Sequence, residues 1–82
     1  MIPDGTTHVW TPAISTPRIG FYLRRAFYKQ SGGKWFSYSS LSDRWDESNN
    51  SSEWFETEKE EGFFVTYEQY KDPLFIPKPE TI

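Results

Sequence analysis

Apolar and polar residues alternate most regularly between Arg18 and Tyr28. Because successive side chains of a β-strand point to opposite faces, this pattern predicts one continuous strand over 18–28. The sequence Gln30-Ser31-Gly32-Gly33 separates it from the aromatic run 34–39, and such Gly-containing sequences are typical of chain reversals. The pattern therefore predicts an antiparallel hairpin with 18–28 and 34–39 as its two arms.

Shorter strands are predicted on both sides of the hairpin. They are the β-branched and aromatic segment 6–11, a third arm over 43–46 around Trp45, and the apolar segment 62–66. Pro12 and Pro17 are expected to bracket a loop. Thr66 and Gln69 have the spacing of a helix-capping pair, so one helical turn is predicted to end before Asp72-Pro73.

The segment 53–61 gives two conflicting signals. Asn50 followed by Glu53 resembles a helix-start capping pair, and Gly62 could end a helix. Its apolar residues are limited to the adjacent pair Trp54-Phe55, however, and one adjacent pair cannot form the stripe that a helix buries. We therefore expect a short strand or a single helical turn here.

These elements together predict a mainly β protein. The expected fold is a small twisted antiparallel sheet of about four or five short strands, with room for one short helical turn. Residues 1–72 are expected to form a single small β domain, and residues 73–82 a Pro-rich extended C-terminal tail. The apolar residues expected to form the covered face of the sheet are Val9, Ile19, Phe21, Leu23, Phe27, Phe36, Trp45, Phe63 and Val65.

The composition suggests how so short a chain could build a core. Aromatic residues make up 20% of the 82 residues, and hydrophobic residues 35% in all. Each ring can bury roughly 150–250 Å². We therefore expect most rings to lie in the core. The surplus rings, where a partner would bind, are Tyr22, Trp54, Phe55 and Tyr67.

The net charge of -3 conceals an uneven distribution along the chain. Six of the 9 basic residues, but two of the 12 acidic ones, lie in residues 1–45, so the segment 46–82 is strongly acidic. Such asymmetry either lets the two halves attract each other or gives the protein two faces of opposite potential for partners.

Few catalytic or metal-binding chemistries are open to this sequence. It contains no cysteine, which excludes disulfides, thiolate metal sites and a cysteine nucleophile and is typical of a reducing cytosol. The single histidine, His8, is more typical of a packed or solvent-facing residue than of a metal ligand or general base. We therefore expect no enzymatic activity, no metal and no cofactor. With no secretory signal after Met1 and no apolar run of about 20 residues, a soluble cytoplasmic protein is expected.

The first candidate site is an acidic segment that also carries two rings. Its carboxylates could imitate the phosphates of a nucleic acid or dock into a basic cleft of another protein, with the rings as anchors. The simpler alternative is a solvated acidic loop that compensates the basic hairpin. The residues expected to bind a partner are Glu53, Trp54, Phe55, Glu56, Glu58, Glu60 and Glu61.

The second candidate site is the basic, aromatic hairpin. Rings that stack on bases, and cations that contact phosphates, are features of proteins that bind single-stranded nucleic acids. The alternative is that Trp35 and Phe27 belong to the core and that the cations protect a sheet edge, and the net negative charge of the protein favours this alternative. The residues that would bind nucleic acid are Tyr22, Arg24, Arg25, Tyr28, Lys29, Lys34 and Trp35.

Part of the chain resembles a known group of proteins. The opening Pro3-Asp4-Gly5-Thr6-Thr7-His8, the run Phe27-Tyr28-Lys29, the return Gly33-Lys34-Trp35 and the lone Trp45 resemble a pattern in small uncharacterised proteins of tailed bacteriophages and prophages. The resemblance covers roughly residues 3–45 and leaves out the acidic segment and the Pro-rich end. It implies an early or accessory phage protein in the bacterial cytoplasm, a class that often binds and disables a host factor. It transfers no catalytic residues.

The leading hypothesis is therefore a non-enzymatic, phage-encoded protein that binds and inhibits a host protein through its acidic segment. One alternative is a module that binds single-stranded nucleic acid through the basic hairpin. Another is a structural component of the virion or of its assembly.

Overall fold

Antiparallel β-structure dominates the fold. A computed structural model describes residues 2–16 and 20–79. Within these residues the elements follow one another as β1 His8–Trp10, β2 Ala13–Thr16, β3 Gly20–Leu23, β4 Ala26–Ser31, β5 Lys34–Ser39, β6 Arg44–Glu47, α1 Ser52–Glu61, β7 Phe64–Thr66 and α2 Tyr67–Tyr70. A 5-stranded sheet has the spatial order β6-β5-β4-β1-β7, and β2 and β3 form a separate 2-stranded sheet. The expectation of a small, mainly β fold is confirmed.

The central hairpin consists of β4 and β5, and its return strand lies where the sequence predicts it. Gly32 and Gly33 both have positive φ, 59° and 77°, which is the conformation that a two-residue turn between twisted strands requires. The turn sets the register, in which Ser31 pairs with Lys34. β6 continues the meander and pairs with β5, so the predicted third arm around Trp45 is also confirmed.

The first arm of the hairpin differs from the prediction. The expected single strand over 18–28 consists of two strands, β3 and β4, which belong to different sheets. Arg24 and Arg25 separate them, and the Arg24 N–H donates to the Pro12 carbonyl oxygen at 3.1 Å, which extends the pairing of β3 with β2 by one position. Phe27 is in phase with Phe21 and Leu23, so the alternation resumes after the two adjacent arginines, and these arginines are its interruption.

A strand also replaces the expected loop between Pro12 and Pro17. The segment Ala13–Thr16 pairs antiparallel with β3. Pro12 directly precedes this strand, a position where the missing N–H of proline is tolerated. Pro17 itself lies outside the described residues.

α1 is the largest departure from the predicted secondary structure. The expected short strand or single turn is a helix of 10 residues. Its N-cap is Ser51, whose Oγ accepts a hydrogen bond from the Trp54 N–H at 3.1 Å, and not the predicted Asn50. At the other end Gly62 has φ 86° and its N–H bonds back to helix carbonyl oxygens, so the predicted helix stop is confirmed.

Two caps and a tertiary contact stabilise α1 in place of a hydrophobic stripe. Phe55 is the buried residue of this helix. Most helices of this length depend on packing rather than on intrinsic propensity, and a pattern that contains one buried position is difficult to recognise in a sequence. Asn50 contributes in another way, because its side-chain amide donates to the Tyr28 hydroxyl at 3.2 Å.

Rings from the sheet and from α1 form the core. Its buried centre is Tyr28, Phe55 and Phe64, and the residues packed around them are Trp10, Ala26, Trp35 and Trp54. Phe55 stacks on Trp35, with ring centroids 4.5 Å apart and planes inclined by 18°. The register brings the sheet residues together, because Trp10 pairs with Phe64 and directly opposed residues point to the same face.

The core differs in part from the predicted set. Val9 and Phe63 are buried as expected, with 0% and 8% of their surface exposed. Four others are half-buried, namely Phe27, Phe36, Trp45 and Val65. α1 covers the face of β4 and β5 that carries Tyr28 and Trp35, and strand alternation alone does not say which face is covered. Ile19 lies outside the described residues, as do the side chains of Phe21 and Leu23.

The predicted capped turn after β7 is confirmed as α2. Thr66 Oγ1 accepts from the Gln69 N–H at 3.1 Å, and Gln69 Oε1 accepts from the Thr66 N–H at 3.0 Å, which is a capping box. Further along the chain, Pro79 forms a parallel bridge with Ala13. The Ala13 N–H donates to the Lys78 carbonyl oxygen at 3.1 Å. The described part of the Pro-rich segment therefore contacts β2.

Candidate functional site

The outer face of α1 carries a row of carboxylates. Residues three or four positions apart lie on the same side of a helix, so Glu53, Glu56 and Glu60 are neighbours, with Glu61 in the last turn. All four residues are exposed. A helix rises about 1.5 Å per residue, so successive members of Glu53, Glu56 and Glu60 are about 4.5–6 Å apart along the axis. We call these four residues the acidic row.

The two rings of the acidic segment face the sheet. Phe55 is 2% exposed and stacks on Trp35. Trp54 is half-buried, and its ring centroid lies 5.0 Å from that of Phe55 and 6.2 Å from that of Trp10. The expectation that Phe55 lies on the surface is therefore wrong, because the ring is used to hold α1 on the sheet.

Glu58 is also removed from the exposed surface. It is half-buried, and its Oε1 accepts a hydrogen bond from Trp10 Nε1 at 3.0 Å. The guanidinium of Arg24 lies over the same indole, 5.1 Å from the ring centroid. Glu58 thus joins α1 to the sheet, and the acidic row contains the carboxylates that face solvent.

The acidic row is not neutralised by the basic half of the chain. Lys34 pairs with Glu47 at 3.7 Å, and Arg25 donates to the Tyr70 hydroxyl at 3.0 Å. Among the residues that the structure describes, neither these two cations nor Arg24 forms an ion pair with a carboxylate of α1. The row therefore remains available to a positively charged partner.

One ion pair occurs within α1 itself. Lys59 and Glu56 are one turn apart, with Nζ and Oε1 separated by 3.7 Å. Both side chains are exposed, and exposed pairs of this kind contribute about 0–1 kcal/mol because water screens them. The pair therefore leaves both groups able to bind elsewhere.

The predicted nucleic-acid-binding residues are not assembled on one surface. Tyr28 is 7% exposed, and burial raises the pKa of its phenol. Trp35 is half-buried against Phe55. Lys29 lies on the opposite face of β4, where its ammonium is 5.1 Å from the centroid of the Trp45 ring. The exposed members of the set are Arg24, Arg25 and Lys34. The side chain of Tyr22 lies outside the described residues.

A cleft of about 400 Å³ opens where α1 ends beside β1 and β7. Its walls include His8, Lys59, Phe64 and Gln69. The imidazole of His8 stacks on Phe64, with centroids 5.2 Å apart, and meets the Trp35 ring edgewise at 4.8 Å. Burial and, to a smaller extent, the nearby Lys59 ammonium lower the pKa of His8. The sequence shows no local motif for this cleft, because His8 meets residues of the distant segment 59–69 there.

A second cleft, of about 300 Å³, lies beside the turn between β5 and β6. Pro3, Tyr38 and Trp45 are among the residues that line it. Trp45 Nε1 donates to the Asp4 carbonyl oxygen at 3.2 Å. Tyr38 donates a hydrogen bond to the carboxylate of Asp43, and this bond raises the pKa of the Tyr38 phenol. The polar groups of this cleft are thus largely engaged with one another.

The described residues contain no cluster of three or more His, Cys, Asp or Glu side chains that could hold a metal ion. In the same parts of the chain, no helix is both long enough and apolar enough to cross a membrane. Comparisons with protein-family models, with curated proteins and with solved structures gave no match.

Proposed function

We propose that this protein is a non-enzymatic binding protein that docks the acidic row of α1 onto a basic surface of a partner protein. The observation that carries the proposal is the exposure of Glu53, Glu56, Glu60 and Glu61 on a helix whose other side is packed against the sheet. The role proposed for this segment thus rests on its carboxylates, without Phe55 as an anchor.

The packing beneath the acidic row makes it a preorganised surface. Phe55 and Trp54 hold α1 on the sheet, and Ser51 and Gly62 cap its two ends. Carboxylates on a fixed helix keep their spacing before the partner arrives, so binding costs less conformational freedom than it would for a flexible acidic loop. Fixed negative charges also steer a basic partner and raise its association rate.

The partner that we propose is a bacterial host protein with a basic cleft. The resemblance of residues 3–45 to small phage proteins supports a host protein as the partner. A row of carboxylates on one helix face is similar in charge to a nucleic-acid backbone, which carries one negative charge per phosphate. If the basic cleft of the partner normally binds nucleic acid, α1 bound in that cleft would exclude the nucleic acid and so inhibit the host protein.

Binding of single-stranded nucleic acid through the basic hairpin has less support. Such binding depends on exposed rings on which bases stack, and Tyr28 and Trp35 pack against α1. The exposed cations provide positive charge without that platform, on a protein whose net charge is -3.

Neutralising part of the acidic row should weaken partner binding about tenfold or more. The double variant E56Q/E60Q removes two adjacent carboxylates, and the matched control E47Q/E68Q removes the same charge from exposed positions outside α1. The partner is captured from a bacterial lysate, identified by mass spectrometry and purified. Its Kd is then measured for the wild type and both variants at two salt concentrations. We expect the Kd to rise in E56Q/E60Q and to stay at the wild-type value in E47Q/E68Q. We also expect the wild type to bind more weakly at the higher salt concentration.

Two results would count against parts of this proposal. Equal affinities of E56Q/E60Q and E47Q/E68Q would show that the acidic row is not the docking surface. Failure of an oligonucleotide to compete with the protein for its partner would remove nucleic-acid mimicry and leave the docking surface in place.

A further inference from the structure

We propose that the cleft between α1, β1 and β7 binds a small oxyanion group, either a carboxylate or a phosphoryl group, through donors from Lys59, His8 and Gln69. Glu56 of the acidic row pairs with Lys59, but none of the four residues of the row lines the cleft, and the inference does not depend on the proposed function. Its volume of about 400 Å³ accommodates either group with accompanying water, since a water molecule occupies about 30 Å³ in the liquid.

Lys59 supplies the positive charge of the site. Its ammonium lies 5.7 Å from the centroid of the Trp35 ring, and its contact with Glu56 is a 3.7 Å pair between exposed side chains. A lysine ammonium has three N–H donors. The pair with Glu56 therefore leaves donors for a ligand in the cleft.

His8 is held in a fixed orientation and presents an N–H donor. Its Nδ1 lies 2.9 Å from Thr7 Oγ1, and the same oxygen already accepts a hydrogen bond from the Gln30 N–H at 2.9 Å. The Thr7 hydroxyl can still donate its own proton to Nδ1 while its oxygen accepts from Gln30. The proposed site uses this tautomer, in which the neutral imidazole carries its proton on Nε2, and no hydrogen bond from Nε2 occurs within the described parts of the chain.

Gln69 contributes its side-chain NH2 group. The Oε1 of Gln69 accepts hydrogen bonds from both the N–H and the hydroxyl of Thr66, at 3.0 and 3.2 Å. Because the Thr66 N–H requires an acceptor, these bonds fix which end of the amide is oxygen. The NH2 end lacks a partner among the described residues, and Gln69 lines the cleft.

The electrostatic surroundings favour an anion over a cation. None of the described residues that line the cleft is acidic. Gly62 lines the cleft, and a Cβ placed on it would lie 3.8 Å from Lys78 Nζ. A second ammonium therefore lies close to this part of the cleft. Burial and, to a smaller extent, the Lys59 ammonium lower the pKa of His8, so the imidazole is kept neutral. The cleft thus has donors and no lining carboxylate, and the carboxylate paired with Lys59 belongs to Glu56, which is exposed.

The test is a titration of the 15N-labelled full chain with inorganic phosphate and, separately, with acetate, at constant ionic strength set with chloride. We expect saturable chemical-shift changes at the Gly62 amide, the Gln69 side-chain amide and the His8 imidazole. Saturation by phosphate alone identifies a phosphoryl site, and saturation by acetate alone a carboxylate site. No saturable change with either anion overturns the proposal.

Matched variants separate a specific site from a general charge effect. K59Q should weaken anion binding by about tenfold, the factor that corresponds to 1.4 kcal/mol. K71Q removes the same charge from the exposed lysine at the end of α2 and should bind like the wild type. H8F keeps a ring that can stack on Phe64 but removes the donor, and it should also bind more weakly. Equal losses in K59Q and K71Q, or full affinity in H8F, would overturn the assignment of these donors.

Discussion

The variant Phe55→Ala should lose about 3–5 kcal/mol of unfolding free energy, the usual cost of deleting a buried phenylalanine side chain. Phe55 is 2% exposed, and its ring meets those of Trp35, Tyr28 and Phe64 at centroid distances of 4.5, 5.7 and 5.4 Å. A domain of 82 residues has a total stability of about 4–12 kcal/mol. The substitution therefore removes a large share of the stability and detaches α1 from the sheet.

Urea unfolding at 25 °C, followed by tryptophan fluorescence and by far-ultraviolet circular dichroism, measures this loss. Leu41 is 100% exposed, so Leu41→Ala is a matched control that should change the stability by less than about 0.5 kcal/mol. Phe55→Leu keeps an apolar side chain, so its loss of unfolding free energy should lie between the losses of Leu41→Ala and Phe55→Ala. If Phe55→Ala and Leu41→Ala unfold at the same urea concentration as the wild type, Phe55 does not anchor α1.

The variant Thr11→Val should instead be more stable than the wild type, by about 1–3 kcal/mol. Thr11 is 1% exposed, and its Oγ1 is a buried oxygen that has no hydrogen-bond partner within residues 2–16 and 20–79. A buried hydroxyl that loses water without gaining a partner is destabilising. Valine has nearly the same shape and keeps the backbone bond from Thr11 N–H to the Phe63 carbonyl oxygen, which is 2.8 Å long.

The matched control for this variant is the same substitution at Thr6. That side chain is 9% exposed, but its hydroxyl donates to the Pro3 carbonyl oxygen at 2.7 Å. Thr6→Val should therefore lower the midpoint of urea unfolding, whereas Thr11→Val should raise it. Loss of stability in both variants would mean that the Thr11 hydroxyl has a partner in solution.

The elements that the sequence predicted correctly are those with local causes. The Gly32-Gly33 turn needs positive φ at both positions, which glycine adopts at little cost. The Thr66 and Gln69 capping box is likewise complete within four residues. Such features can be recognised in a sequence because neighbouring residues alone determine them.

The errors concern features with distant causes. α1 depends on Phe55 meeting the ring of Trp35, which lies 20 positions earlier in the chain, and the weak apolar pattern of α1 does not distinguish it from a short strand. The break at Arg24 and Arg25 is set by two separate pairings, of β3 with β2 and of β4 with β1. Neither partner strand can be identified from the alternation of residues 18–28.

The candidate sites also combine features with local causes, which could be predicted, and features that depend on distant contacts, which could not. The carboxylates of the acidic row were predicted because charge is a property of each residue. The burial of Phe55, and the bond from Trp10 Nε1 to Glu58, depend on the packing of α1 and could not be predicted. The cleft around His8 and Lys59 was missed for the same reason, since His8 meets the distant segment 59–69 there.

Ring packing holds α1 on the sheet and so leaves the acidic row facing solvent. A nuclear Overhauser spectrum of the assigned protein measures this packing. We expect cross-peaks between the Phe55 ring protons and the Trp35 indole protons, because the ring centroids are 4.5 Å apart, together with Phe55 ring resonances shifted by the stacked indole. A folded protein that lacks these cross-peaks and has Phe55 resonances at random-coil positions would contradict this packing.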